Sequence, residues 1–264
     1  MPSIPRPRRF RRLEFLLRRE ALSLGLVLLL VTALCWLWIA VLARDMYGAM
    51  SGPAAWMMTP SWDTTHLLLL WAMWAVMMAG MMLPAAAPTL LLHVGAARAQ
   101  VPATGAGARV PALAGGYLLV WALFSVGATL LQWGLATRAL LSPMMEPASP
   151  VLGAALLAVA GLYQLTPLKH ACLRACRSPL ALLAGRPQPG WRGAFRLGIT
   201  HGVYCLGCCW ALMLLLFAGG VMNLAVIAAL TGWVLVEKLL PFGERSARLS
   251  GLLLIATAGW MLLR

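Results

Sequence analysis

The run ALSLGLVLLLVTALCWLWIAVLA, residues 21–43, carries no charged side chain. A bilayer core of ~30 Å is crossed by about 20 apolar residues in helical form. Within that core every backbone N–H and C=O must be satisfied inside the segment, which favours a helix. Six more apolar runs follow, at about 66–92, 112–135, 151–167, 198–218, 221–240 and 249–263. The expected fold is therefore all-α: a polytopic transmembrane helix bundle of about seven spans. Pro84 and Pro88 should kink or end the far part of the second span. Gly219 and Gly220 form the turn of a tight hairpin between the fifth and sixth, and Pro241-Phe242-Gly243 stops the sixth.

Composition agrees. The 264 residues are 62% hydrophobic and only 11% charged, with a mean hydropathy of +0.84. A soluble domain carries about 25% charged residues. Residues 1–20 read as a basic cytoplasmic tail. Residues 21–264 read as a single transmembrane helical domain with a cytoplasmic Cys/His loop at 169–197. The first apolar run is too long for a signal-peptide core and reads as a retained helix.

The net charge of +14 does not point to nucleic acid, because the arginines are spread along the connections between apolar runs. There they set orientation and meet anionic headgroups of the lipid bilayer. With seven spans and a cytoplasmic N-terminus, eighteen of the 21 lysines and arginines lie inside and only Arg44, Arg138 and Arg264 outside. That split predicts a multi-pass protein of the bacterial inner membrane. In the fourth loop, residues 170–183 suggest a short amphipathic helix in the headgroup plane, followed by a flexible turn at 185–190. Residues 99–114 read as a mobile loop.

Five of the six cysteines and two of the four histidines fall between Lys169 and Leu216. His201, Cys205, Cys208 and Cys209 are spaced by four, three and one, so His201, Cys205 and Cys208 or Cys209 share one face of the fifth span. Cys172 and Cys176, four apart, share a face if their segment is helical. Both groups fall at the cytoplasmic membrane boundary. Three or four such soft donors could bind a transition metal, copper favoured, with zinc or iron also compatible. His170 is either a further ligand or an interfacial polar residue, and Cys35 is expected to pack.

A second feature is a thioether face. Met73, Met77 and Met81 repeat every four residues on the second span, with Met78 and Met82 beside them. Met46, Met50, Met57 and Met58 precede them. This row is a candidate Cu(I) relay, or simply flexible packing. Glu237 is either a proton acceptor and counter-charge to a metal or the partner of a nearby arginine, while Lys238 is expected to snorkel to the headgroups. Asn223 should cap the sixth helix. Either Asp63 or a threonine caps the second span, or Asp63 and His66 form an outer metal-entry site.

The strings AGMMLPAAAP (79–88), YQLTPLKHACLRACRSP (163–179), GITHGVYCLGCCWALM (198–213), VMNL (221–224), LT (230–231) and EKLLPFG (237–243) resemble a bacterial family described only as predicted metal-binding integral membrane proteins. The resemblance covers roughly 67–260. It implies an inner-membrane protein with a metal site at the Cys/His positions. Where members carry Trp-Met after the Asn-Leu-x step, this chain has Val226 and Ile227, so no Trp or Met role carries over to the sixth span.

The leading expectation is a membrane protein handling a soft metal in transport or delivery, through Cys172, Cys176, His201, Cys205, Cys208, Cys209 and His170. The alternative is a membrane thiol–disulfide protein using the Cys205-x-x-Cys208 pair. A structural subunit with inert cysteines is the third class. No serine triad, carboxylate pair or phosphate loop is present to suggest another chemistry.

Overall fold

The computed structural model describes residues 8–48, 52, 56, 62–100, 106–142, 144–178 and 190–263. Among them are eight α-helices: α1 Arg8–Met46, α2 Thr64–Gln100, α3 Ala106–Thr137, α4 Pro150–Gln164, α5 Pro167–Cys176, α6 Gly190–Gly219, α7 Leu224–Leu239 and α8 Gly243–Leu262. Four stretches are long and apolar enough to cross a membrane: Leu22–Met46, Thr64–Leu92, Arg109–Thr137 and Gly190–Gly219. The bent pair α4–α5 makes a fifth if taken as one span. At 16 residues, α7 reaches ~24 Å, short of a ~30 Å hydrocarbon core. The first turns of α8 carry Glu244, Arg245 and Arg248. Leu22, Leu26 and Leu29 on α1 and Leu252 and Leu253 on α8 are all more than half exposed, apolar faces compatible with membrane insertion.

The prolines of α2 do not end it. Pro84 and Pro88 lie inside a helix that continues to Gln100. Proline at 84 removes the N–H that would bond the Gly80 carbonyl, and the Trp36 indole N–H on α1 donates to that carbonyl at 3.2 Å. In an apolar surrounding, such rescue by a neighbouring helix lets the helix continue. The Cys35 side chain packs against the same Gly80. The expected loop at 99–114 is also shorter, since helix covers 99–100 and 106–114.

The largest helix–helix contact is between α3 and α6. A Cβ on Gly198 would strike the Leu113 carbonyl, and one on Gly116 would strike the Phe195 carbonyl. Small residues at this crossing let the two backbones touch, which is how helices pack when apolar lipid offers no hydrophobic drive. Helices α4 and α8 use the same device at Gly161 and Gly251.

The α4–α5 elbow bends by 67°. Pro167 disfavours a helical Thr166, which is extended and caps the new helix by accepting from the Lys169 N–H. Of the short amphipathic helix expected over 170–183, residues 170–176 are helical as part of α5, which starts earlier, at Pro167. It buries Lys169, His170, Leu173 and Cys176 and packs on α6. Residues 179–183 of that expectation, most of the 185–190 turn, Met50, Met57 and Met58 lie outside the described residues. At the other end of α6, Gly220 turns the chain with φ +90°. Asn223 then caps α7, its side chain accepting from the Ala225 and Val226 N–H groups.

Candidate metal centre

The close crossing of α3 and α6 positions the site. Tyr117 follows Gly116 on α3, and its ring stacks on His201 with centroids 5.4 Å apart. Its hydroxyl lies 3.0 Å from Cys205 Sγ and donates to the Met82 carbonyl, also at 3.0 Å. Cys205, Cys208 and Cys209 are each about 1% exposed. The Cys208 and Cys209 thiols turn back along α6 and donate to the Cys205 carbonyl at 3.1 and 2.9 Å. Met82 Sδ on α2 lies 4.0 Å from Cys209 Sγ. Lys238 reaches in from α7, its Nζ 2.8 Å from Cys205 Sγ and 3.9 Å from Cys209 Sγ.

The elbow supplies the other sulfurs. Cys176, in the last turn of α5, is within hydrogen-bonding reach of Cys205 and Cys208. Half-buried Cys172 sits over Gly207, where an added Cβ would come within 2.7 Å of its Sγ. Glycine at 207 leaves the room that the Cys172 thiol occupies against α6. The elbow is held by a buried polar network. Lys169 Nζ pairs with Glu237 Oε2 at 2.6 Å, with both side chains at most 2% exposed. Gln164 and Trp233 donate to Glu237 Oε1 at 2.7 and 2.9 Å, and Gln164 also donates to Ser250 at 2.8 Å. Residues of α4, α5 and α7 thus meet at one carboxylate, and Ser250 of α8 joins them through Gln164.

Of the residues singled out in the sequence, the structure gathers Cys172, Cys176, His201, Cys205, Cys208 and Cys209. His201 is 4% exposed, and neither ring nitrogen has a hydrogen-bond partner. Its charged or titratable neighbours include Cys205, Cys208 and Lys238. His170 is buried with both nitrogens unpartnered too, yet its electrostatic neighbours are Arg248, Glu244, Lys169 and Arg174, away from the sulfurs. Met73, Met77 and Met81 are buried at 4% or less, but the thioether that meets a cysteine is Met82, in the parallel row. The Glu237 carboxylate is taken by Lys169, Gln164 and Trp233, so its ion-pair partner is a lysine, not an arginine. Lys238 does not snorkel: it is 7% exposed and directed at the cysteines. His66 lies between the edges of Trp56 and Trp62, with Asp63 accepting from its backbone N–H at 2.8 Å.

One expectation needs correction. Among the described residues no three His, Cys, Asp or Glu side chains are placed to hold a metal ion as they stand. The sulfurs are neighbours, but two thiols are turned onto a carbonyl and an ammonium occupies the open side of Cys205. A ready shell of three or four donors is absent for that reason. All six cysteines are unpaired. Cys205 and Cys208 lie mid-helix, so the positive helix N-terminus that activates many CxxC pairs is lacking. Sequence reasoning missed Tyr117 and misassigned Lys238. The one available signal was a lysine one turn from the end of an apolar run, next to a glutamate that needs its own partner.

Residues 71–261 match the family model PpoB2, described as a copper chaperone. The match spans most of the chain, and the protein belongs to that family. The matched region holds every residue of the cysteine cluster together with Tyr117, Lys169, Glu237 and Lys238. No curated protein and no solved structure matches.

Proposed function

We propose that this member of the copper chaperone family carries Cu(I) as cargo on the sulfurs of Cys176, Cys205, Cys208 and Cys209, with His201 as an adjoining nitrogen donor, and passes it on. The observation that carries the reading is the burial of four thiols from two helices beside an imidazole with no partner of its own. Thiolate and thioether donors select Cu(I). This ion is satisfied by two thiolates in line, or by two with a third soft donor, whereas structural zinc asks for four converging ligands. The missing three-donor shell therefore weighs against zinc or iron and not against Cu(I).

Loading needs only rotation of Cys208 and Cys209 between staggered side-chain wells, giving up weak S–H···O contacts. One proton leaves with each thiol that becomes a ligand, so binding weakens as pH falls. Cys172, on the exposed lip above Gly207, gives the ion a next sulfur on the way out, and ligand exchange along such a series suits delivery. Met82 and the buried methionines Met73, Met77, Met78 and Met81 continue the soft-donor surface along α2 as a relay. Glu237 has a structural part, holding the elbow closed. The chain is placed in the bacterial inner membrane with its N-terminus and the cysteine cluster on the cytoplasmic side, supported by the uneven distribution of lysine and arginine. A C-terminal reporter fusion should be active only outside the membrane.

The test is anaerobic loading of the full-length protein in lipid nanodiscs with Cu(I), followed by desalting and elemental analysis. The wild type should keep about one copper per chain, and a Cys205→Ser, Cys208→Ser variant should lose it. Wild-type retention below about a tenth of an equivalent overturns the reading.

A further inference from the structure

Lys238 is a buried cation whose partners are sulfur atoms. Its neighbour Glu237 is committed to Lys169, and among the described residues no carboxylate lies within ion-pair distance of Lys238. The ammonium instead donates to Cys205 Sγ at 2.8 Å and approaches Cys209 Sγ at 3.9 Å, with Cys208 and Cys176 as its other charged or titratable neighbours. A buried unpaired cation is costly, so the chain retains this one where an anionic sulfur can neutralise it. The Tyr117 hydroxyl also lies 3.0 Å from Cys205 Sγ.

We infer that Lys238 sets the charge of the metal the cysteine cluster accepts, favouring a monovalent ion over a divalent one. This rests on the copper chaperone reading above. Two thiolate ligands carry two negative charges, and the fixed ammonium cancels one. A monovalent metal cancels the other and leaves the buried site neutral. A divalent metal leaves a net positive charge in an apolar interior, where it cannot be hydrated. Metal entry involves no electron transfer. Each thiol that becomes a ligand releases its proton to water, and the Cys205 sulfur exchanges its N–H···S contact for a bond to the metal. With the metal about 5 Å from Nζ and an effective dielectric near 20, one extra unit of metal charge is disfavoured roughly a hundredfold.

Ag(I) and Cd(II) separate charge from softness, because both are thiophilic, closed-shell ions of the same electron count and differ by one charge. The full-length protein in nanodiscs is equilibrated with mixtures of the two, and bound silver and cadmium are measured by elemental analysis. Lys238→Leu and Lys238→Gln should shift the bound ratio toward cadmium by roughly a hundredfold, while Lys238→Arg stays within about threefold of wild type. The ratio is the right readout because any change in thiol protonation affects both metals alike. If the neutral variants bind silver with an unchanged ratio, the inference is overturned and the chaperone reading stands. If silver binding is already insensitive to Cys205→Ser with Cys208→Ser, the chaperone reading itself fails. Should neither neutral variant fold, the wild type decides: clear preference for silver supports the inference, and parity with cadmium overturns it.

Discussion

Replacing Glu237 by glutamine tests what holds the α4–α5 elbow against α6. The change is isosteric and keeps an oxygen for Gln164 and Trp233 to donate to, so it removes little except the negative charge. Lys169, 0% exposed and 2.6 Å from that carboxylate, is then a buried ammonium without a counter-ion, which costs about 3–5 kcal/mol. For a chain of this size each kcal/mol lowers the melting temperature by roughly 2–4 °C, so the Glu237→Gln protein should melt roughly 6–20 °C lower. Lys169→Met should also destabilise, by leaving the carboxylate with neutral donors only. The double variant, with no charge left, should return to within about 1 kcal/mol of wild type. Melting is followed by circular dichroism in detergent, and maleimide labelling of Cys172 and Cys176 reports the elbow separately. A Glu237→Gln cost below about 1 kcal/mol, or a double variant as unstable as the two singles combined, would refute the assignment of the pair as the elbow's clamp.

Gly198→Ala should destabilise by about 1–3 kcal/mol and weaken copper retention, because the added methyl meets the Leu113 carbonyl and parts α3 from α6, moving Tyr117 off Cys205. Gly232→Ala, with nothing within 4 Å of its Cβ, should be neutral in the same melts. Trp36→Phe should cost about 1–2 kcal/mol by orphaning the Gly80 carbonyl, an effect that a Trp71→Phe control at the Ala122 carbonyl would share only through its own bond. Met82→Leu should speed Cu(I) transfer to a chelator or weaken retention; transfer and retention both equal to wild type would separate the copper path from the Met82 contact.

The helices, the Gly219–Gly220 turn and the Asn223 cap were legible in the sequence because each depends on local chemistry: an uncharged run, a flexible backbone, a side chain that accepts its own helix's N–H. The clustering of His201, Cys205, Cys208 and Cys209 was legible as well, since periodicity fixes which residues share a face of one helix. Proline chemistry suggested that α2 would kink or end at Pro84 and Pro88, and the helix does not end there. The proton missing from Pro84 is compensated by Trp36, a residue on another helix, which no reading of α2 alone could supply. Four or five of the seven expected spans have the length and composition of a crossing; α7 is 16 residues long and α8 carries three charges in its first turns, so local composition alone does not make either a crossing.

Adjacent residues Glu237 and Lys238 mark the boundary between the two kinds of knowledge. Sequence alone established that two opposite charges sit near the end of an apolar helix and must each be neutralised. About 100° of helical rotation separates their side chains, so they face different neighbours. Which neighbours those are depends on how α7 is rotated and crossed against α5 and α6. The bend at Pro167 brings α5 onto α6 and gives Glu237 to Lys169, while the turn at Gly220 lays α7 back against α6 and gives Lys238 to the sulfur of Cys205.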